Sequence, residues 1–252
     1  MDDNLARYAR LVPSPLRRLR WRLKTMPTPG RMADRYWSGI EREVRLLPRL
    51  CDPRALSIDV GANLGAYTVL LRRYSRRVVA FEANPAMARR LALMTAWRPG
   101  VRVEAFGLSS RSGDTILRIP EDHGRATLHS VNDLGGRAAR DVPTRIRTLD
   151  SFGFIDVGFI KIDVEGHELE VLEGAEALLR TSRPTLLIEA ADEHRTDAVA
   201  SLLAHLRARG YAGRFLDDAG RVTDAEQYDP RAARTQNFIF VHASKPDTLA
   251  SP

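Results

Sequence analysis

The stretch Leu56-Ser57-Ile58-Asp59-Val60-Gly61-Ala62-Asn63-Leu64-Gly65-Ala66-Tyr67-Thr68 constrains this chain more than any other. It opens as a short apolar and β-branched run, the pattern of a buried strand. It then breaks at two glycines four residues apart with an Asn between them, and continues with helical apolar spacing. A strand, a glycine-bearing turn and a helix in succession bring a nucleotide-like ligand close to the backbone at a helix N-terminus. Glycine serves there because a Cβ would meet the ligand or because the turn needs a positive φ. The spacing is G-x-N-x-G and not the G-x-G-x-x-G of dinucleotide sites. It therefore favours a ligand that presents an amino acid and a nucleoside over one that presents a pyrophosphate.

The next strand, Val78-Val79-Ala80-Phe81-Glu82, ends in a carboxylate about twenty residues past the glycines. An acidic side chain at that place accepts hydrogen bonds from ribose hydroxyls. Asn84-Pro85 then stops the strand and opens a helix, because proline suits the first helical turn. Alternation continues: helix 64–73, strand 78–82, helix 85–97, strand 101–108. Such βαβα order predicts an α/β fold, a mostly parallel sheet with helices on both faces. Ligands of these sheets bind outside the carboxyl ends of the strands, so Gly61, Glu82 and the end of the third strand should converge.

Residues 109–147 interrupt the pattern. Thr115–Ile119 and Thr144–Arg147 alternate like edge strands, and the polar segment between them, 121–141, carries His123 and His129. A long polar loop above a parallel sheet is the usual place for a lid or a selectivity element. A second informative stretch follows: Gly158-Phe159-Ile160-Lys161-Ile162-Asp163-Val164-Glu165-Gly166-His167-Glu168. Phe159–Ile162 reads as the central fourth strand. Asp163, Glu165, His167 and Glu168 follow where the chain leaves the sheet, Asp163 and Glu165 toward the cleft, with one helix expected from near His167 with a buried stripe reaching Leu179. Glu165 and Glu168 also suit the helix dipole there. Strands at 184–189, 211–216 and 237–241 bring the total to seven, and the fifth ends in Glu189.

The net charge of +7 resides in the first fifty residues, which hold twelve Lys/Arg against five Asp/Glu; the remaining 202 residues balance at 27 against 27. A basic face tracking nucleic acid across the whole domain is therefore not expected. The basic, leucine-bearing segment 16–24 is instead a candidate for peripheral contact with an anionic membrane surface. Single Cys51 reads as a small buried hydrophobe. No apolar run reaches membrane-spanning length and the N-terminus lacks a secretory pattern, so a cytoplasmic location is expected, with peripheral attachment at the inner membrane face as the arm's contribution. The expected organisation is a basic helical extension over 1–50, one domain over 51–243 with the 109–147 insertion, and a flexible tail over 244–252.

Taken in order, Ile58–Thr68, Phe81-Glu82-Ala83-Asn84-Pro85, Arg147-Thr148-Leu149-Asp150 and Ile160–Glu168 closely resemble the FkbM-type S-adenosylmethionine-dependent methyltransferases. The resemblance implies the Rossmann-like class I methyltransferase sheet of seven strands with the last inserted antiparallel. It also implies O-methylation of a hydroxyl on a sugar, glycolipid, polyketide or other secondary metabolite. Carried over by position, Asp59, Gly61, Asn63, Gly65 and Thr68 would hold the methionine end of the cofactor and Glu82 the ribose. Phe106 and Ser109 would border the adenine, and Asp163 would sit beside the sulfonium.

Since a sulfonium is already electrophilic, the protein must supply alignment and a sink for the hydroxyl proton. Glu165 or His167 is the expected base beside Asp163. In a second version Asp163 and Glu189 share a Mg²⁺ that lowers the hydroxyl pKa. Two other functions are open to this sequence: a nucleic-acid or protein N-methyltransferase, and a non-catalytic cofactor-binding module. Asp163-Val164-Glu165-Gly166 stands where adenine amino-methylating enzymes carry an Asn/Asp-Pro-Pro-aromatic run, which argues against the first. The carboxylates at the strand ends argue against the second.

Overall fold

The computed structural model describes residues 41–120, 139–192, 197–230, 235–246, 248 and 249. The basic segment 16–24, His123, His129 and most of the 121–141 loop lie outside these residues. A 3₁₀ turn, Arg42–Leu46, and a short helix α1, Leu47–Leu50, lead into the sheet. Leu47 and Leu50 are buried against Tyr67, Leu70 and Leu71, so the end of the N-terminal extension packs on the domain core.

Strand β1 (Leu56–Val60) is buried at all five positions, as expected of a strand covered on both faces. Helix α2 (Ala66–Tyr74) starts after Gly65, which has φ +81°. Strand β2 (Arg77–Phe81) and helix α3 (Pro85–Thr95) follow; the Asn84 side chain caps α3 by accepting from the Ala86 and Met87 amides at 3.0 and 3.4 Å. The expected third strand is two. β3 (Val101–Glu104) pairs with β2, while β4 (Gly107–Leu108) leaves the sheet to pair with β6. β5 (Gly113–Pro120) and β6 (Ala139–Arg147) form an antiparallel hairpin, and β4-β6-β5 make a small second sheet.

Strand β7 (Val157–Ile162) is central, and the helix expected after it is broken into α4 (Glu168–Glu173) and α5 (Glu176–Thr181). Gly174 marks the break: a Cβ there would collide with the carbonyl of Ser109, so this close approach requires glycine. β8 (Thr185–Glu189), helix α6 (Ala198–Arg207), β9 (Tyr211–Leu216), β10 (Val222–Asp224) and β11 (Asn237–His242) complete the order.

The main sheet runs β10-β9-β11-β8-β7-β1-β2-β3. It has eight strands, one more than expected, because the short β10 adds an edge to β9. β11 lies antiparallel between β8 and β9, as the resemblance implied. Leu249, in the segment expected to be a flexible tail, is 5% exposed and packs in the cluster that holds Val241. Cys51 is buried, which pushes its thiol up to about 12. No helix among the described residues is long and apolar enough to cross a membrane.

Candidate active site

Strand register sets the site. Val60 pairs with Phe81 on one side and Ile162 on the other, and Ile162 pairs with Ile188. The next residue on each strand therefore forms a single row at the carboxyl ends: Glu189, Asp163, Gly61 and Glu82, in that order across β8, β7, β1 and β2. Within the row, the Asp163 and Glu189 carboxylates both lie within 4 Å of the Lys161 ammonium.

One cleft opens over the right half of this row. It is lined by Gly61, Asn63, Glu82 and Asn84 at the strand ends, by Phe106, Met87, Leu108 and Leu117 as an apolar wall, and by Asp163, Val164 and Glu165. Glu82 is 8% exposed; its Oε2 accepts from the Asn63 amide and its Oε1 from the Asn84 amide, both at 2.8 Å. Burial raises its pKa, and those two amide bonds counteract the rise. Each oxygen keeps a lone pair for a diol. Asn63 (φ +47°) and Glu165 (φ +54°) are non-glycine residues in the left-handed region at this cleft, a costly conformation that concentrates at ligand sites.

The sequence-predicted residues divide into two groups. Gly61, Asn63, Glu82, Phe106, Asp163 and Glu165 line the cleft. Asp59, Gly65, Thr68, Ser109, His167 and Glu189 do not. Asp59 is 2% exposed and accepts a hydrogen bond from the Thr68 hydroxyl, also fully buried, so this pair ties β1 to α2 beneath the turn. Burial pushes Asp59 up to about 6. A Cβ on Gly65 would strike Leu91 of α3, so that glycine lets two helices approach. His167 Nε2 lies 2.9 Å from the Ser109 hydroxyl and Nδ1 3.7 Å from Glu170, which joins the β4 end to α4 away from the cleft. Glu168 is buried and accepts from the Gly166 amide at 3.0 Å.

Aromatic packing supports the apolar wall. Phe152 meets Phe81 and Phe106 edge to face, with centroids 4.9 and 5.9 Å apart, and the Arg145 and Arg147 guanidinium groups lie over Phe106.

Lys161 is the residue that sequence reasoning missed. It is 1% exposed on β7, with Nζ 3.9 Å from Asp163 and 3.8 Å from Glu189. It also points to Asn237 Oδ1 and the Ile162 carbonyl at 3.5 Å, and lies 5.2 Å from the Tyr67 ring centre. Tyr67 in turn hydrogen-bonds Glu41. Burial opposes the ammonium charge, but the carboxylates of Asp163, Glu189, Glu41 and Asp59 outweigh it and raise the pKa. The only signal in the sequence was a lysine inside an otherwise apolar central strand.

This arrangement corrects the Mg²⁺ version. The two carboxylates expected to share a metal instead flank the Lys161 ammonium. Among the described residues no group of three or more His, Cys, Asp and Glu side chains is placed to hold an ion.

The family model of the methyltransferase FkbM domain matches residues 59–212. The hexuronic acid methyltransferase AglP of Haloferax volcanii is 32% identical over 143 residues, covering 54% of this chain and 56% of that protein. Methyltransferase sdnD of Sordaria araneosa is 27% identical over 155 residues, covering 47% and 60%. The chain thus spans little more than half the length of these two relatives. The crystal structure of methyltransferase FkbM from Methylobacillus flagellatus KT superposes with a TM-score of 0.51 at 18% identity, covering 76% of this chain and 44% of that one, and shows the shared fold. With the family model spanning well over half of the sequence, the chain belongs to the FkbM methyltransferase domain family.

Proposed function

We propose that the chain moves a methyl group from S-adenosylmethionine to a hydroxyl of a small molecule, a sugar or a related metabolite. The observation that carries this reading is Glu82: a buried carboxylate, fixed by two backbone amides, facing a cleft lined by the glycine turn, apolar side chains and the carboxylates of Asp163 and Glu165. Those surfaces match the three parts of the donor. Gly61 and Asn63 would hold the amino-acid end, Glu82 the ribose diol, and Phe106 with Met87, Leu108 and Leu117 the flat adenine. Asp163 would face the sulfonium. Asp59, Gly65 and Thr68 act from beneath, by holding the turn; Ser109 and His167 hold the end of β4 to α4.

When bound, S-adenosylmethionine supplies a methyl group on a leaving sulfonium, whose S–C electron pair stays on sulfur. The chain's share is then to orient the acceptor oxygen and to take its proton. The Haloferax relative, which acts on a hexuronic acid by its name, supports a sugar-like acceptor. Calorimetric titration of the purified protein with S-adenosylmethionine tests the reading. Micromolar binding in the wild type that is lost in Glu82→Ala is expected; no binding in the wild type overturns it.

A further inference from the structure

We propose that Glu189 takes the proton of the acceptor hydroxyl and that Lys161, sealed beneath it, is the positioning residue that holds the Glu189 carboxylate at the strand end. The proposal rests on the methyl-transfer reading above and deepens it.

The strand-end row gives the geometry. Glu82 marks the ribose end, Gly61 and Asp163 continue the donor cleft, and Glu189 is the next carboxylate along, on the far side of Asp163 from Glu82. It lies outside the donor cleft lining, yet its side chain is 19% exposed. An acceptor cannot use the surfaces that hold the donor, and Glu189 is the carboxylate that stands beside them at the same level. The rival bases are placed differently. Glu165 belongs to the wall of the donor cleft. His167 is engaged with Ser109 and Glu170 and does not line the cleft.

Lys161 explains why so many carboxylates can gather here. Asp163 and Glu189 flank its ammonium at 3.9 and 3.8 Å, and Glu41 adds a third negative group through Tyr67. Without the ammonium these neighbouring charges would repel one another. At 1% exposure Lys161 cannot touch a substrate, so its effect passes through Glu189 and Asp163. The groups facing Glu189 are Asp163, Lys161 and Glu165 from β7 and the turn after it, Glu41 from the segment before the 3₁₀ turn, and the uncharged Asn237 from β11. Burial and then the Asp163 charge push the Glu189 carboxyl up to about 7, against the opposing pull of Lys161. A base in that range works well near neutral pH.

The proton balance is simple. The acceptor O–H bond breaks toward a Glu189 oxygen, its electron pair remains on the oxygen that gains the methyl group, and the proton later leaves Glu189 through its exposed edge.

The test uses the full chain labelled with ¹³C at the glutamate δ-carboxyl. In the wild type one resonance should titrate near pH 7. It should be missing from Glu189→Gln, and in Lys161→Met it should move upward by a pH unit or more, because the ammonium favours the ionised form. Lys161→Gln replaces the Met variant should that one fail to fold. No such resonance, or one that ignores both changes, overturns the proposal. This titration needs no acceptor, so it decides even where the probe sugar is not methylated.

Calorimetry on the same samples should give Glu189→Gln a donor affinity within threefold of wild type. Where the wild type binds no donor, it is the methyl-transfer reading that fails. With methyl glucuronide as probe acceptor, Glu189→Gln should lose at least 100-fold in kcat with KM within threefold. The acid limb of the Lys161→Met pH profile should shift upward with its carboxyl resonance. Retention of more than a tenth of wild-type kcat by Glu189→Gln overturns the proposal.

Discussion

A Cβ placed on Gly61 would lie 1.8 Å from the carbonyl oxygen of Asp163, so the backbones that leave β1 and β7 are packed directly against each other there. The same glycine has φ +78°. Gly61→Ala must therefore both move the Asp163 carbonyl and hold a side chain in the left-handed region. We expect a loss of about 2–4 kcal/mol in urea unfolding, and weakened donor binding in whatever fraction folds.

Removing Glu82 should weaken donor binding. Glu82→Ala deletes the acceptor of the Asn63 and Asn84 amides and the carboxylate that the proposed reading assigns to the ribose. A charge-assisted hydrogen bond contributes roughly 1.5–3 kcal/mol, so calorimetry should show donor affinity falling at least tenfold. Glu82→Gln, which keeps an acceptor oxygen but presents an amide, should fall between the two.

Asp59 predicts a pH dependence of stability. Burial raises its folded pKa from 3.8 to about 6. The folded chain thus holds a proton that the unfolded chain releases. The stability tied to that proton is complete below the unfolded value of about 3.9 and is lost as pH rises through about 6. Asp59→Asn mimics the protonated form and can still accept from Thr68. Its stability relative to wild type should rise between pH 4 and 7 and then level off, by about 3 kcal/mol at most. Urea melts at pH 4.5, 6 and 8 would show this; a difference that stays constant with pH would contradict it.

Metal chelation offers a direct contrast between a bound ion and Lys161. The Asp163 and Glu189 carboxylates flank an ammonium that belongs to the chain. EDTA should leave donor affinity and methyl transfer unchanged within twofold. A loss restored by added Mg²⁺ would show that a metal competes for these carboxylates.

Much of the site was legible as local pattern. Gly61, Glu82 and Asp163 each follow the last residue of a short apolar strand. Strand length and alternation of helices and strands are local properties, and in a parallel sheet they are enough to send those three residues to one edge. Asn84-Pro85 announced the start of α3 for the same reason, since capping is settled within a single turn.

Other roles depended on neighbours far along the chain. Thr68 and Asp59 look like ligand residues in the motif, but they bond each other in the interior, because α2 packs its first turn on β1. His167 stands among carboxylates in the sequence, yet the departure of β4 into a second sheet puts Ser109 within its reach. The continuous apolar spacing from Leu169 to Leu179 predicted one helix, and the approach of the Ser109 carbonyl to Gly174 accompanies its break into two.

The sequence by itself determined the α/β class, the glycine turn and the carboxylates at the strand ends, since each depends on residues within a few positions of one another. Only the tertiary structure decided the part played by Lys161. Its partners Glu41, Asp59, Asp163, Glu189 and Asn237 come from separate parts of the chain and meet because β7 lies between β1 and β8, with β11 beyond. A charge in an apolar strand is stable only when the order of strands brings opposite charges to it, and that order is a property of the whole sheet.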